Sequence, residues 1–330
     1  VIDSAKFIPN APIRGQACRN YFYGKDRRVE RALSYMEGQA SRIFAEAISD
    51  GRLPTPGSQD HEWVVFYLGM QHARTVGAAE RHNEGSEKVA KAMLRHKAKL
   101  EGNSEMMAAL DRVRIRRRDA VSELLGYTAV GAGLLADLTF MLIRNDSDTP
   151  FIASDTPVVL HNKLYEGQHI SVTGYANVGL QLFLPLGPQL AIFGFDSNAY
   201  AVETGAGGLV EVDDASQVRL INDLQWEVAH EVLLVSTDMS EQALQASALD
   251  WSSRRRSERM ILREEIVYQS DSEARTRYGS GETPSRVSLD LPFVTCKLPK
   301  PTPLAPWEIP PFRDAERVSR VDRALERFDE

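Results

Sequence analysis

The apolar positions change their period once along the chain. Up to about residue 146 they recur every three or four residues, as on one face of a helix; after Pro150 they come in short runs bounded by Gly, Pro, Asn and Asp, as in strands. The first half predicts helices over 26–49, 60–82, 86–100, 105–118 and 119–144, with breaks at Gly51, Pro54, Pro56 and the Gly102-Asn103 pair. Strands are expected at 151–153, 158–161, 169–172, 180–184 and 189–195. Helix returns over 214–231 and 240–252. From Glu265 the pattern decays: 270–284 is polar and rich in Gly and Ser, and 298–311 holds six prolines, an extended strap before a final charged helix. This order predicts an α+β fold in which an N-terminal helical half packs on a small, mainly antiparallel sheet, followed by one or two helices and the Pro-rich strap. We expect one domain over 1–265, with a helical part at 20–146, a strand part at 150–212 and helices at 214–265, and an extension over 266–330.

Polar side chains interrupt the inward stripes. In 60–82 the apolar face runs Trp63, Val64, Tyr67, Met70 and continues through Gln71 and Arg74. In 26–49 the inward row is Leu33, Met36, Ala40, Phe44, and Glu37 falls among its members. A buried Arg needs a carboxylate or an anion, so Arg74 predicts a partner, with Glu37 the first candidate. Ser154 and Asp155 end a strand that restarts after Pro157; Asp155 reads as a general base, a metal ligand or a partner of Arg74, or else as a turn residue holding Thr156-Pro157. Asn222 is inward on an apolar helix, with His230 eight residues further along the same helix; an inward Asn also ties down strand backbone. His72 lies off the stripe and reads as a surface or packing residue.

Charge and composition narrow the function. A formal charge of −7 argues against a general nucleic-acid coat, although Arg112, Arg114, Arg116, Arg117 and Arg118 form a local basic run that could meet a nucleotide or nucleic acid. Cys18 and Cys296 lie far apart and in no zinc-like cluster, which suits reduced thiols and a cytoplasmic protein. The apolar run 124–143 has the length of a bilayer span, but Asp137 and three glycines in it favour a buried helix, so no membrane partner is expected. Residues 1–10 carry no signal-peptide pattern. Walker, GxSxG and HExxH patterns are absent, and Gly205, Gly207 and Gly208 fit a hairpin turn.

Five runs in fixed order, NYFYGKDRRVERALSYMEGQASRIF (20–44), YLGMQHART (67–75), PFIASDTPVVL (150–160), LFLPLGPQLAI (182–192) and INDLQWEVAHEVL (221–233), together resemble the bacterial domain of unknown function 4238. By that resemblance the family's Glu falls on Glu37, its Gln-x-x-Arg on Gln71 and Arg74, its Ser-Asp-x-Pro on Ser154, Asp155 and Pro157, and its Asn on Asn222. The family's opening His-Tyr-Val-Pro stretch has no counterpart here, so no role of that histidine is implied. Some relatives are similar to single-gene anti-phage defence proteins, which implies a toxic enzyme or a sensor. The expected function is a bacterial hydrolase of a phosphodiester or nucleotide, with Glu37, Arg74 and Asp155 catalytic and Gln71, Ser154, Asn222 and His230 on the substrate, a divalent ion (Mg or Mn) being compatible with the carboxylates. Two alternatives stand beside it: cleavage of a nucleotide's glycosidic bond, and a non-catalytic module whose polar residues form a structural network.

Overall fold

A computed structural model describes residues 2, 6–11, 22–23, 27–205, 208–237, 239–254, 258–269 and 274–329. Cys18, Asp26, Arg255 and Arg256 lie outside them. The chain is an α+β protein. Its helical half comprises α1 (Arg27–Asp50), α2 (Gln59–Ala73), α3 (Val76–Leu100), α4 (Ser104–Leu110) and α5 (Ala120–Gly131). The expected helix over 60–82 is broken at Arg74, and α3 then runs through to Leu100. Thr75 causes the break: its backbone is extended and its hydroxyl accepts from Ala78 N at 3.1 Å, starting a new helix with only Arg74 and Thr75 between it and the old one.

The central sheet has the order β3-β4-β5-β1-β7, built from β1 (Thr139–Asn145), β3 (Val159–His161), β4 (Gln181–Gly187), β5 (Leu190–Phe195) and β7 (Val210–Val212). All its pairings are antiparallel except β1 with β7. Period-two alternation sorts its side chains between two layers. Leu182, Leu184 and Ile192 pack with Val64, Val65 and Leu68 of α2, whereas Phe183, Phe193 and Phe195 pack with Val218, Ile221 and Leu224 of α6 (Ala215–Val228) on the opposite face.

The apolar run 124–143 is not one helix. It is the end of α5, a 3₁₀ turn at Ala132–Leu135, and β1 in the middle of the sheet. A strand covered on both faces is apolar throughout, so periodicity cannot tell it from a buried helix. Asp137, the charge inside the run, pairs with Arg313 at 2.7 Å. Among the described residues no helix is long and apolar enough to cross a membrane.

Other expectations shift as well. Residues 169–172 form no strand, and helix 105–118 shrinks to α4. The sheet strand expected at 151–153 becomes β2 (Ala153–Ser154), paired with β8 (Leu233–Leu234). Gly205 and Gly208 close a turn, Gly205 N donating to Leu209 O at 2.8 Å, with Gly207 outside the described residues, but the strands on either side pair elsewhere: β6 (Tyr200–Val202) with β11 (Val294–Cys296) and β7 with β1. Beyond α7 (Glu241–Arg254), the polar stretch at 270–284 is not featureless: β9 (Met260–Gln269) and β10 (Ala274–Glu282) form a long antiparallel ladder that packs on α3. Gly279 is needed there because a Cβ would stand 3.0 Å from the Trp307 ring of the strap. The strap leads into α8 (Ala315–Asp329).

Candidate functional site

The polar residues singled out in the sequence fall into two separate groups. The first joins α1 to α2. Arg74, at the C-cap of α2, donates from Nε to Gln71 Oε1 at 2.6 Å and from Nη1 to Glu37 Oε1 at 2.5 Å, and its guanidinium lies 5.8 Å from the Tyr67 ring centroid. The Arg74 side chain is 12% exposed but Glu37 is 49% exposed, so the carboxylate is at the surface rather than inward. Burial pushes the Tyr67 hydroxyl pKa up, against the opposing pull of Arg74.

The second group knits β2 to the end of α6. Asn222 accepts from Ile152 N at 3.0 Å and donates to Pro150 O at 2.9 Å. Gln225 Oε1 takes both the backbone and the hydroxyl of Ser154, and its Nε2 donates to Pro157 O. Asp155 accepts three backbone N–H groups, from His230 and Glu231 at 2.7 Å and from Val232 at 3.1 Å. Both its oxygens are thereby committed. The expected convergence of Asp155 with Glu37 and Arg74 is therefore not found, because the backbone after α6 supplies the donors that Arg74 was expected to supply. His230 is past the helix, which ends at Val228, and meets Asp155 through its main chain.

Between these groups lies a cavity of about 80 Å³ that sequence reading missed. Its walls include His72 of α2, Arg81 of α3, Thr156 of the strand break and Glu282 of β10. It lies where the helical half meets the strand break, but none of Glu37, Gln71, Arg74, Ser154, Asp155, Asn222 and His230 is in its lining. Arg81 Nε donates to Glu282 Oε1 at 3.1 Å. Tyr175 donates its hydroxyl proton to Gly69 O, so the 2.9 Å contact from His72 Nδ1 to the same oxygen makes Nδ1 the donor and leaves Nε2 a lone pair.

Burial, with Arg81 nearby, lowers the His72 pKa from 6.5 to about 4. The unfolded chain then binds the proton first, so His72 costs no stability above pH 6.5 and destabilises the fold as pH falls from about 6.5 to about 4. Up to about 3 kcal/mol should be lost over that window. Urea midpoints for the wild type and His72→Asn should diverge at neutral pH and approach one another near pH 4.5; parallel profiles would refute the assignment.

The basic run is less free than its sequence suggests. Arg116 pairs with Glu80 at 3.1 Å and Arg117 with Glu123, while Arg112, Arg114 and Arg118 remain exposed. Among the described residues no group of His, Cys, Asp and Glu is placed to hold a metal ion.

An α+β protein with a helical half seated over a strand break, and polar residues clustered at that seam, is the class these observations define. Residues 1–238 match the family described as Protein of unknown function (DUF4238), and the chain belongs to it. Comparison with curated proteins and with solved structures gave no match.

Proposed function

We propose that the chain is a hydrolase of phosphodiester or nucleotide substrates, with Arg74 holding the anionic group and Glu37 beside the reacting centre. One observation supports this above all: Arg74 is held through Nε by Gln71 and through Nη1 by Glu37, with the Tyr67 ring beside it, so that a fixed guanidinium lies next to a half-exposed carboxylate. A guanidinium oriented in this way offers a planar donor edge to phosphate. Glu37 can activate water directly or through a divalent ion such as Mg or Mn. The commitment of Asp155 to backbone amides also favours a second reading, cleavage of a nucleotide's glycosidic bond, in which a lone carboxylate stabilises the developing cation. A cytoplasmic bacterial setting and a defensive or toxic role, including nuclease action through the exposed arginines, belong to the same proposal.

The test is turnover of bis-p-nitrophenyl phosphate, nucleoside triphosphates, NAD and single-stranded RNA, with and without Mg or Mn. Glu37→Gln should lower the rate by about 10²–10⁴. Arg74→Lys should raise KM while the melting temperature stays near wild type. Metal dependence separates the two chemistries. If no substrate is turned over, or if Glu37→Gln is fully active, the Glu37–Arg74 pair is only a clasp between α1 and α2.

A further inference from the structure

The cavity at the helix–strand seam has donors without acceptors. Thr156 is 1% exposed, and its hydroxyl has no hydrogen-bond partner among the described residues. Arg81, with a side chain 13% exposed, uses Nε on Glu282, while its two terminal nitrogens have no protein acceptor among the described residues. A Cβ placed on Gly77 would stand 3.1 Å from Thr156 Oγ1 and 3.6 Å from Arg81 Nη1, so the hydroxyl and the guanidinium flank one point. Gly77 belongs to the opening turn of α3, where the positive end of the helix dipole lies. Ser171, Thr173 and Ser285 add hydroxyls to the wall.

We propose that this cavity binds a phosphoryl oxyanion, either inorganic phosphate or the terminal phosphate of a small monoester. Glu282 fixes the Arg81 fork through Nε and leaves the terminal nitrogens for oxygens of the anion. Thr156 donates its otherwise idle proton to another. The volume is several times the roughly 10–15 Å³ that one water needs and suits a tetrahedral oxyanion, with any organic remainder outside. A cation is disfavoured because both wall carboxylates are engaged: Glu282 with Arg81, and Glu227 with Ser285 and the Arg286 amide. An apolar ligand would leave the Thr156 hydroxyl as idle as before. This site shares no residue with the Glu37–Arg74 pair and does not rest on the hydrolase reading.

Calorimetric titration and thermal melts with inorganic phosphate and with phenyl phosphate, against chloride at matched ionic strength, test it. The wild type should bind one of the two saturably and melt higher in its presence; tighter binding of phosphate assigns the free ion, tighter binding of phenyl phosphate the monoester. Thr156→Val is the informative variant. If the hydroxyl only fills space, removing an unpaired group leaves the protein as stable or more so and binding unchanged, which overturns the proposal. If it binds the anion, the apo protein melts at or above wild type while affinity falls by about tenfold or more. Arg81→Lys, which keeps the charge and loses the fork, should weaken binding comparably and serves if Thr156→Val misfolds. A wild type that answers neither phosphate nor phenyl phosphate differently from chloride also ends the idea. Glu37→Gln should bind phosphate here as wild type does, so failure of the hydrolase reading is told apart from failure of this one.

Discussion

Arg313→Ala should lower stability by about 3–5 kcal/mol, more than any other single truncation of a charged residue discussed above. The Arg313 side chain is 2% exposed. Its guanidinium donates to Asp137 Oδ1 and to the carbonyls of Leu134, Tyr175 and Asn177, at 2.6–3.1 Å, while its backbone N–H bonds to Ala176 O. Alanine would strand three carbonyls and a carboxylate together. The residue links the start of α8 to the turn before β1 and to the loop before β4, so its loss should loosen three segments at once. Arg74→Ala should cost less, about 1–2 kcal/mol, because its partner Glu37 is half in water and regains hydration when released. Urea denaturation of the two variants checks the ranking. A cost below that of Arg74→Ala would show that Arg313 is not the staple its contacts describe.

Asp155→Ala should be the second large loss, about 3 kcal/mol or more, because three charge-assisted hydrogen bonds to consecutive amides disappear together. The readout that separates this from a catalytic loss is amide exchange. Protection at His230, Glu231 and Val232 should fall far more than at α2, and Asp155→Asn should restore part of it. An Asp155→Ala protein that melts like wild type yet has lost turnover would return this residue to the chemistry.

The sequence carried the layer plan well because it depends on burial. The short apolar runs of β4 and β5, bounded by turn residues, and the period-3.6 rows of α1 and α2 announce strand and helix, and no tertiary information is needed to read them. Three features escaped for physical reasons. The Thr75 cap ends one helix and starts another inside a continuous apolar stripe, so a reading that runs through the break merges α2 with the start of α3. The apolar run 124–143 holds a helix and a central strand that look alike once both are buried. The alternating glycines of β10 resemble loop punctuation, although Gly279 is small because an indole lies on it. Within the site, Arg74 with Glu37 and Gln71 was legible, since a guanidinium on an apolar stripe announces its need for partners. Asp155 was misplaced because a carboxylate that accepts backbone amides has the same sequence signature as one awaiting a substrate. The turn reading does not describe it either, since the Thr156 N–H is taken by Ser154 Oγ at 3.1 Å and Asp155 instead ties down the chain after α6. Asn222 follows the plainer reading, tying the backbone before β2 to α6.

The hairpin of β9 and β10 lies beyond residue 238, yet Glu282 at its end helps close the cavity whose other wall carries the α3 start and the strand break. Two tempos of change are thereby built into one pocket. The scaffold wall is held by core packing on every side, so almost any substitution there is felt throughout the sheet. The hairpin wall rests on α3 from outside and can exchange the Glu282 side chain, whose partner is Arg81 of α3, without disturbing a strand of the central sheet. Ligand preference can therefore drift, or be re-engineered, on a detachable partition while the architecture behind it stays fixed.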